Sequence, residues 1–158
     1  MSPEGGERVV VDFRIKQAPA YRVASISWKG PWNERRIRAQ FDRLTKWAQS
    51  KGLRTGCWIF REPGTRAWEV SIEVRGAARS EPPIRVRTLP ARSVASVVFD
   101  PNVISPSVIY HGVNDWLRWR KRDKTIRSVG DYRELYGQDP WRNPKSWART
   151  EIQVVVRK

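Results

Sequence analysis

The feature that most constrains the fold of this chain is an internal repeat. Three segments of the first half recur in the same order in the second half: 18–26 (APAYRVASI) as 89–97 (LPARSVASV), 44–47 (LTKW) as 116–119 (WLRW), and 69–75 (EVSIEVR) as 151–157 (EIQVVVR). Self-similarity of this kind is the signature of a repeated structural unit. The sequence therefore predicts one domain over residues 1–158, with repeat one at about 8–76 and repeat two at about 83–157. The junction is predicted near 79–83, where Glu81-Pro82-Pro83 interrupts regular structure.

Each repeat has the pattern of a strand, a proline turn, a second strand, a helix and two further strands. The strands are rich in valine, isoleucine and aromatic residues, which are typical of half-buried strands. The predicted strands are 9–15, 23–28, 57–60 and 68–74 in repeat one, and 84–88, 94–99, 133–136 and 150–156 in repeat two.

The two predicted helices each carry one apolar stripe. The stripes are Ile37, Phe41, Leu44 and Ala48 in repeat one, and Ile109, Val113, Trp116 and Leu117 in repeat two. Gly52 stands where the first helix should end, and Ser105 with Pro106 is a favourable start for the second. One unit alone cannot bury both its sheet face and its helix stripe. The predicted fold class is α+β, with two pseudo-symmetric β-α-β-β repeats, antiparallel strands, two main helices on one side and a central groove.

Several classes of site are excluded or disfavoured by the residue types that are scarce. Cys57 is the only cysteine and His111 the only histidine, which excludes an internal disulfide and a cysteine-based zinc site and disfavours Ser-His catalysis. No apolar run approaches the ~18–20 residues that a membrane helix needs, and the first residues lack the features of a signal peptide. We therefore expect a cytoplasmic protein with no metal, no cofactor and no membrane contact.

Two features of the composition are unusual, a net charge of +15 and nine tryptophans. The charge either serves solubility, which is the favoured interpretation, or attracts a polyanion such as nucleic acid. The basic run from Arg118 to Lys124, interleaved with Trp119, likewise either stabilises a helix C-terminus, which is favoured, or contacts nucleic acid. Because nine tryptophans exceed the needs of a small core, some are expected to line a cavity.

The third strands of the two repeats carry the candidate site. Trp58 and Phe60 share one strand face in repeat one, and Glu134 and Tyr136 share one in repeat two, because alternate side chains lie on the same side of a strand. If both faces point into the groove, a carboxylate and a phenol lie among aromatic rings. Such a carboxylate could bind a flat cation or transfer protons. The alternative is that Glu134 points outward and pairs with an arginine.

Other candidates for the groove walls are aromatic. They are Tyr21, Trp68 and Trp141, the last in a proline-rich loop that Trp147 also flanks, and each could instead pack in the core or hold its loop in place. The matching residues Glu69 and Glu151 are expected to pair with arginines, and His111 is expected on a helix surface.

A resemblance rests on an ordered set of motifs, each weak by itself. They are Pro19-Ala20 with Val23-Ala24, Trp28-Lys29-Gly30-Pro31-Trp32, Leu44-Thr45-Lys46-Trp47-Ala48, Glu134-Leu135-Tyr136 with Asp139-Pro140, and Thr150-Glu151-Ile152. Over roughly residues 9–156 the chain resembles the GyrI-like domain, also found as the effector-binding domain of BmrR–Rob-type multidrug regulators. The resemblance implies a groove between the repeats that binds lipophilic, often cationic aromatic compounds through a buried glutamate, here Glu134.

The same resemblance implies a second possible function, hydrolysis, and the chain departs from the family pattern in two ways. Some stand-alone members are similar to hydrolases that open cyclopropane-type toxins, and the carboxylate and tyrosine would then be Glu134 and Tyr136. The chain has Asp100-Pro101-Asn102 where the family repeats a Gly-Pro turn, and its positive charge opposes a cationic ligand at long range. A neutral, zwitterionic or anionic aromatic ligand therefore stays open.

Three functions are carried forward. The first is binding of an aromatic or lipophilic small molecule, such as a drug or toxin, by Glu134, Tyr136, Trp58, Phe60, Trp68, Tyr21 and Trp141. The second is hydrolysis with Glu134 and Tyr136 as catalytic residues. The third is contact with gyrase or nucleic acid through the basic surface.

Overall fold

The computed structural model describes residues 11–158, which form one sheet and three helices. The strands are β1 (Arg14–Ala18), β2 (Tyr21–Lys29), β3 (Arg54–Gly64), β4 (Ala67–Arg75), β5 (Arg85–Leu89), β6 (Arg92–Phe99), β7 (Ser128–Tyr136) and β8 (Thr150–Arg157). The helices are α1 (Glu34–Ser50), α2 (Pro106–Arg122) and the short α3 (Pro144–Trp147). The predicted α+β class with antiparallel strands is confirmed, whereas α3 was not predicted.

The main helices begin at residues whose side chains can accept a hydrogen bond from the free backbone N–H groups of the first turn, and α1 ends just before a glycine. Asn33 precedes α1 and accepts a hydrogen bond from the backbone N–H of Arg36 at 3.1 Å, and Ser105 caps α2 in the same way through Ser107. After α1, Gly52 adopts a φ of +67°, which glycine tolerates without strain.

The strand order is β1-β6-β8-β7-β3-β4-β2-β5, and all neighbouring pairs are antiparallel. The central pair β7–β3 joins the two halves of the chain. The outermost strands are exchanged between halves, since β1 pairs with β6 and β5 pairs with β2.

The predicted first strand, 9–15, is placed differently in the structure. Residues 9 and 10 lie outside the described part of the chain, and β1 begins only at Arg14. Val11 and Phe13 instead pack against the core beneath α2, where the Phe13 ring lies 6.0 Å from that of Trp116. Apolar contact with the helix thus replaces strand pairing there.

The core is divided into two main clusters on one face of the sheet, called here the helix face. Residues of α1, including Phe41, pack on β2, β3 and β4. Residues of α2, including Val113, pack on β6 and β8. The end of β3 beyond Trp58 and the neighbouring part of β7 lie between the two clusters, and the candidate site lies there. No helix in the described part of the chain has the length and apolar character needed to cross a membrane.

The opposite face of the sheet holds a polar network around Glu69, whose exposed fraction is 6%. Its carboxylate binds Arg61 at 3.2 Å and Arg87 at 2.6 Å, in agreement with the expectation that it pairs with arginines. Glu151 was also expected to pair with an arginine, and this was wrong, because it pairs with Lys16 at 2.8 Å. This carboxylate also accepts hydrogen bonds from Ser96 and Gln153, and these contacts lower its pKa although burial opposes them.

Candidate functional site

Side chains of the neighbouring strands β3 and β7 form the floor of a groove. Trp58 lies opposite Tyr136, and Phe60 lies opposite Glu134. Residues paired across neighbouring strands point to the same side, so all four lie on the helix face, between α1 and α2. The alternative interpretation required Glu134 to point away from the groove and pair with an arginine. The structure instead places its side chain on the helix face.

The groove consists of two adjoining cavities that share Trp32, Phe60 and Glu134. The first, called here the apolar lobe, has a volume of about 560 Å³ and is also lined by Glu34, Ile37, Phe41, Pro106, Tyr136, Pro140, Trp141 and Trp147. The second, called here the polar lobe, has a volume of about 550 Å³ and is also lined by Arg61, Glu62, Trp68, Tyr110, Gly130, Asp131, Tyr132 and Arg133. Volumes in this range suit small organic ligands.

Two phenols hold Glu134 at the junction of the lobes. Tyr110 of α2 donates to Oε1 at 2.5 Å, and Tyr136 of β7 donates to Oε2. Burial, reinforced by the Glu134 carboxylate, raises the pKa of both phenols well above the ordinary value for tyrosine. Both hydroxyls therefore stay protonated at neutral pH. Each carboxylate oxygen keeps a second lone pair, which leaves Glu134 able to meet a ligand.

Aromatic rings form the walls around this carboxylate. The Trp32 ring, 61% exposed, makes edge contacts with Phe60 at 5.9 Å and with Trp68 at 5.4 Å between ring centroids. Tyr136 stacks on Trp147 at 6.2 Å. Flat surfaces of this kind suit an aromatic ligand, and their π faces attract cations.

The charged residues of the lining are mostly acidic, in contrast to the protein as a whole. The carboxylates are Glu34, Glu62, Asp131 and Glu134. Arg61 also lies at the lining, but its guanidinium binds Glu69 and Asp131. Arg133 bonds instead to Gln153 at 2.8 Å. The groove is therefore a negatively charged region within a protein of net charge +15.

Five of the residues predicted for the site lie in the groove. Phe60 and Glu134 line both lobes, Tyr136 and Trp141 line the apolar lobe, and Trp68 lines the polar lobe. Trp68 is held by a hydrogen bond from its Nε1 to the Gly30 carbonyl at 3.0 Å.

Two of the predicted residues lie elsewhere. Trp58 is 3% exposed and stacks on Phe41 at 4.6 Å, beneath the floor and inside the core. Tyr21 lies on the opposite face with Cys57, beside a separate cavity of about 530 Å³. Alternation on β2 explains this, since Ala24 packs against α1 and Tyr21, three residues away, points to the other side. Burial, followed by the nearby Glu73 carboxylate, raises the pKa of the Cys57 thiol there to about 12.

Among the site residues that sequence reasoning missed, Trp32 and Tyr110 contact Phe60 and Glu134 directly. A signal existed for Trp32, because it ends the motif Trp28-Lys29-Gly30-Pro31-Trp32 and its turn needs the positive φ of Gly30. A signal for Tyr110 existed as well, because it follows buried Ile109 on the flank of the α2 stripe, where a side chain points toward the sheet centre.

The loop from 137 to 147 brings two tryptophans to the apolar lobe. Ser146 of α3 donates to the Gln138 carbonyl at 2.9 Å, which closes the loop. Arg142 pairs with Asp42 of α1 at 2.9 Å, which ties the loop to the helix. Trp141 packs toward the core, with its ring 6.0 Å from that of Phe41. The two sequence interpretations, a wall and a packed loop, therefore both describe Trp141.

Replacing Gly137 with alanine is expected to displace this loop. A Cβ at Gly137 would overlap Oγ of Ser146 and lie 3.0 Å from its Cβ, so Ser146 has to give up its hydrogen bond to the Gln138 carbonyl or α3 has to shift. We expect a loss of about 1–2 kcal/mol of unfolding free energy, typical of mild overpacking, measured by urea denaturation. Gly64→Ala is the matched control, since its added Cβ comes no closer than 3.9 Å to Ala67. Equal losses in the two variants would show that the contact with Ser146 does not matter.

Comparison with known proteins places this geometry in context. A family model described as the GyrI-like small molecule binding domain matches residues 12–157. No curated protein matches the chain significantly.

Several solved structures share the fold. The crystal structure of the EcmrR C-terminal domain matches with a TM-score of 0.70 and 18% identity, covering 95% of this chain and 99% of that one. In the EcmrR–DNA complex, the match covers 94% of this chain but only 58% of EcmrR, with a TM-score of 0.69 and 19% identity.

Two further matches are more distant. SAV2435 bound to tetraphenylphosphonium has a TM-score of 0.52 and 12% identity, covering 92% of this chain and 94% of that one. A hydrolase encoded by lin2189 from Listeria innocua has a TM-score of 0.53 and 13% identity, covering 91% of each chain. Identities this low indicate a shared fold, and function has to be argued from the site itself.

Proposed function

Because this chain belongs to the family of GyrI-like small molecule binding domains, we propose that it binds a lipophilic aromatic cation in the groove between α1 and α2. The observation that carries the proposal is Glu134, a carboxylate fixed by Tyr110 and Tyr136 at the junction of two aromatic cavities. An organic cation there gains a counter-charge and stacking surfaces together.

The local charge of the groove decides between a cationic and an anionic ligand. The net charge of +15 repels cations at long range, but salt screens that field beyond roughly 8 Å at physiological ionic strength. Within the groove the nearest charges are carboxylates, and Arg61 is paired with Glu69 and Asp131. An anionic ligand would have to approach Glu134, because the other cation of the lining, Arg133, holds its guanidinium over the Tyr21 ring on the opposite face.

Tetraphenylphosphonium is a suitable probe, because it is bulky, aromatic and permanently charged. SAV2435, which shares the fold, has been solved with this compound bound. The probe has four rings around one buried charge, so it can place rings in both lobes while its centre faces Glu134.

The proposal is tested by isothermal titration calorimetry with tetraphenylphosphonium and neutral triphenylphosphine oxide. We expect one cation bound per chain, with an affinity at least about tenfold higher than that for the neutral compound, because a desolvated cation over aromatic rings gains about 2 kcal/mol or more. Equal affinities would contradict a role for the carboxylates, and no binding of either compound would contradict the proposed function.

A second candidate function is hydrolysis of an electrophilic small molecule at the same carboxylate. The supporting observation is that Glu134 lies beside two protonated phenols, so a base and proton donors are adjacent. Burial, reinforced by Glu134, raises the pKa of Tyr110 and Tyr136, so at neutral pH both hydroxyls are protonated hydrogen-bond donors and not bases.

The two functions separate in one experiment with a strained cyclopropane-type electrophile. Ring opening by water would be followed by mass spectrometry for the native protein and for Glu134→Gln. Turnover that vanishes in the variant while the compound still binds would support hydrolysis. Turnover equal in both proteins would remove Glu134 from the reaction, and absence of turnover in both would leave binding as the function of the groove.

A further inference from the structure

The surface at the C-terminal end of α2 carries more positive charge than the helix itself requires. The last turn of α2 contains Arg120, Lys121 and Arg122, whereas the last turn of α1 contains no basic residue. The two helices have 17 residues each and correspond in position within the two halves of the chain. α1 therefore forms without a cation in its last turn, so the three of α2 are more than a helix of this length requires.

The tryptophans at corresponding positions of the two helices also differ. Trp47 of α1 packs against the core and donates from Nε1 to Glu81 at 3.0 Å. Trp119 of α2 is 62% exposed, with the guanidinium of Arg122 5.3 Å from its ring centroid. Trp119 therefore contributes little to the core, and its large apolar side chain is available at the surface.

Backbone contacts bring further cations to this end of the molecule. The N–H of Ile126 binds the carbonyl of Arg120, and the N–H of Arg127 binds the carbonyl of Arg157 at 2.6 Å, so the chain after α2 meets the end of β8. We call Trp119 and the surrounding cations the basic surface. Its cations are Lys121, Arg122, Lys124, Arg127 and Arg157.

These cations have no acidic partner among residues 11–158. Asp115 pairs with Arg118 and Asp123 pairs with Arg120, which lie beside the basic surface. Within the described part of the chain, no carboxylate lies within ion-pair distance of Lys121, Arg122, Lys124, Arg127 or Arg157. The basic surface therefore presents five positive charges without a carboxylate partner in that range, together with one exposed indole beside the Arg122 guanidinium.

We propose that the basic surface binds single-stranded nucleic acid, a role beyond ligand binding in the groove. Guanidinium groups bind phosphates in a fork geometry, and an exposed tryptophan stacks on an unpaired base. In a duplex the bases are already stacked on each other, so the indole specifically favours single strands. A lipid surface fits less well, because a membrane-binding helix presents several large apolar residues. Trp119 alone among those of α2 is exposed at this end, since exposed Val108 lies near the other.

The test uses fluorescence anisotropy of the full chain with labelled oligo(dT), oligo(U) and a DNA duplex of equal length, over a range of KCl concentrations. We expect both single strands to bind more tightly than the duplex, with log Kd rising linearly with log salt. The triple variant Lys121→Gln, Arg122→Gln, Lys124→Gln should lower the slope by about 2, at roughly 0.7 per lost phosphate contact. Trp119→Ala should weaken binding about tenfold with a smaller change in slope.

The matched control removes three exposed cations from α1, with Arg35→Gln, Arg43→Gln and Lys46→Gln, and produces the same net charge. Tetraphenylphosphonium binding and circular dichroism verify that each variant is folded. Equal loss in the two triple variants would assign binding to net charge and overturn the proposal. It is also overturned if native protein fails to bind oligonucleotides at low salt, if the duplex binds as tightly as single strands, or if Trp119→Ala weakens binding to anionic vesicles alone.

Discussion

Replacing Glu134 with glutamine is expected to weaken tetraphenylphosphonium binding by about 30- to 100-fold. The amide keeps the size of the side chain but removes the negative charge at the junction of the two lobes. Two opposite charges about 6–8 Å apart at an effective dielectric constant of about 20 attract each other by about 2–3 kcal/mol, and each 1.4 kcal/mol is tenfold in affinity. Calorimetric titration of the native protein and the variant measures the effect.

Two controls distinguish a local contact from a change in overall charge. Asp115→Asn removes one carboxylate from the exposed surface of α2 and should leave the affinity within about twofold, because an exposed charge is screened. The neutral triphenylphosphine oxide should bind native protein and Glu134→Gln with similar affinity. A Glu134→Gln variant that binds the cation as tightly as native protein would show that Glu134 is not the counter-charge.

The sequence was enough to predict which side chains share a face of a strand. It was not enough to predict which of them lie in the groove and which in the core. Alternation correctly places Trp58 and Phe60 on the same side as Glu134 and Tyr136. Whether a residue on that side is core or groove depends on where a helix covers it. Phe41 of α1 stacks over Trp58 and buries it, whereas Phe60, two residues further along, remains at the junction of the lobes.

Site residues that come from other parts of the chain could not be predicted by considering each strand separately. Tyr110 reaches Glu134 from α2, and Trp32 reaches Phe60 from the turn before α1. The periodicity of a sequence assigns each residue to a helix or strand, but it does not indicate which other helix or strand the side chain contacts. Tyr21 was misplaced for a different reason: β2 begins at Tyr21 and not at Val23, and alternation along it puts Tyr21 on the face opposite to Ala24.

The exchange of β1 and β5 could not be foreseen from the repeat. Each of these strands precedes a proline turn and a second strand, and each pattern is compatible with a hairpin to that second strand. β5 instead pairs with β2, and β1 pairs with β6, so each edge of the sheet combines both halves of the chain. Local sequence sets the strand, while the long-range partner is selected by packing of the whole sheet.

Replacing Phe41 with alanine is expected to be among the most destabilising single changes in the core. Its side chain is 0% exposed, stacks on Trp58 at 4.6 Å with an interplanar angle of 10°, and contacts Trp141 across the loop. Truncation of a buried phenylalanine costs about 3–5 kcal/mol, from lost burial and the cavity that remains. We expect the melting temperature to fall by about 10 °C, at roughly 2–4 °C per kcal/mol for a chain of this size.

The same variant tests whether the core and the groove form one structural unit. Phe41 lines the apolar lobe, so its loss should also weaken tetraphenylphosphonium binding, measured at a temperature where the variant is still folded. Val113→Ala is the matched control, because Val113 is buried at the corresponding position of α2 and does not line the groove. It should lower stability less and leave the affinity unchanged. If Phe41→Ala lost stability but kept its full affinity for the cation, the apolar lobe would not be part of the binding site, and the ligand would have to be held by the polar lobe and Glu134 alone.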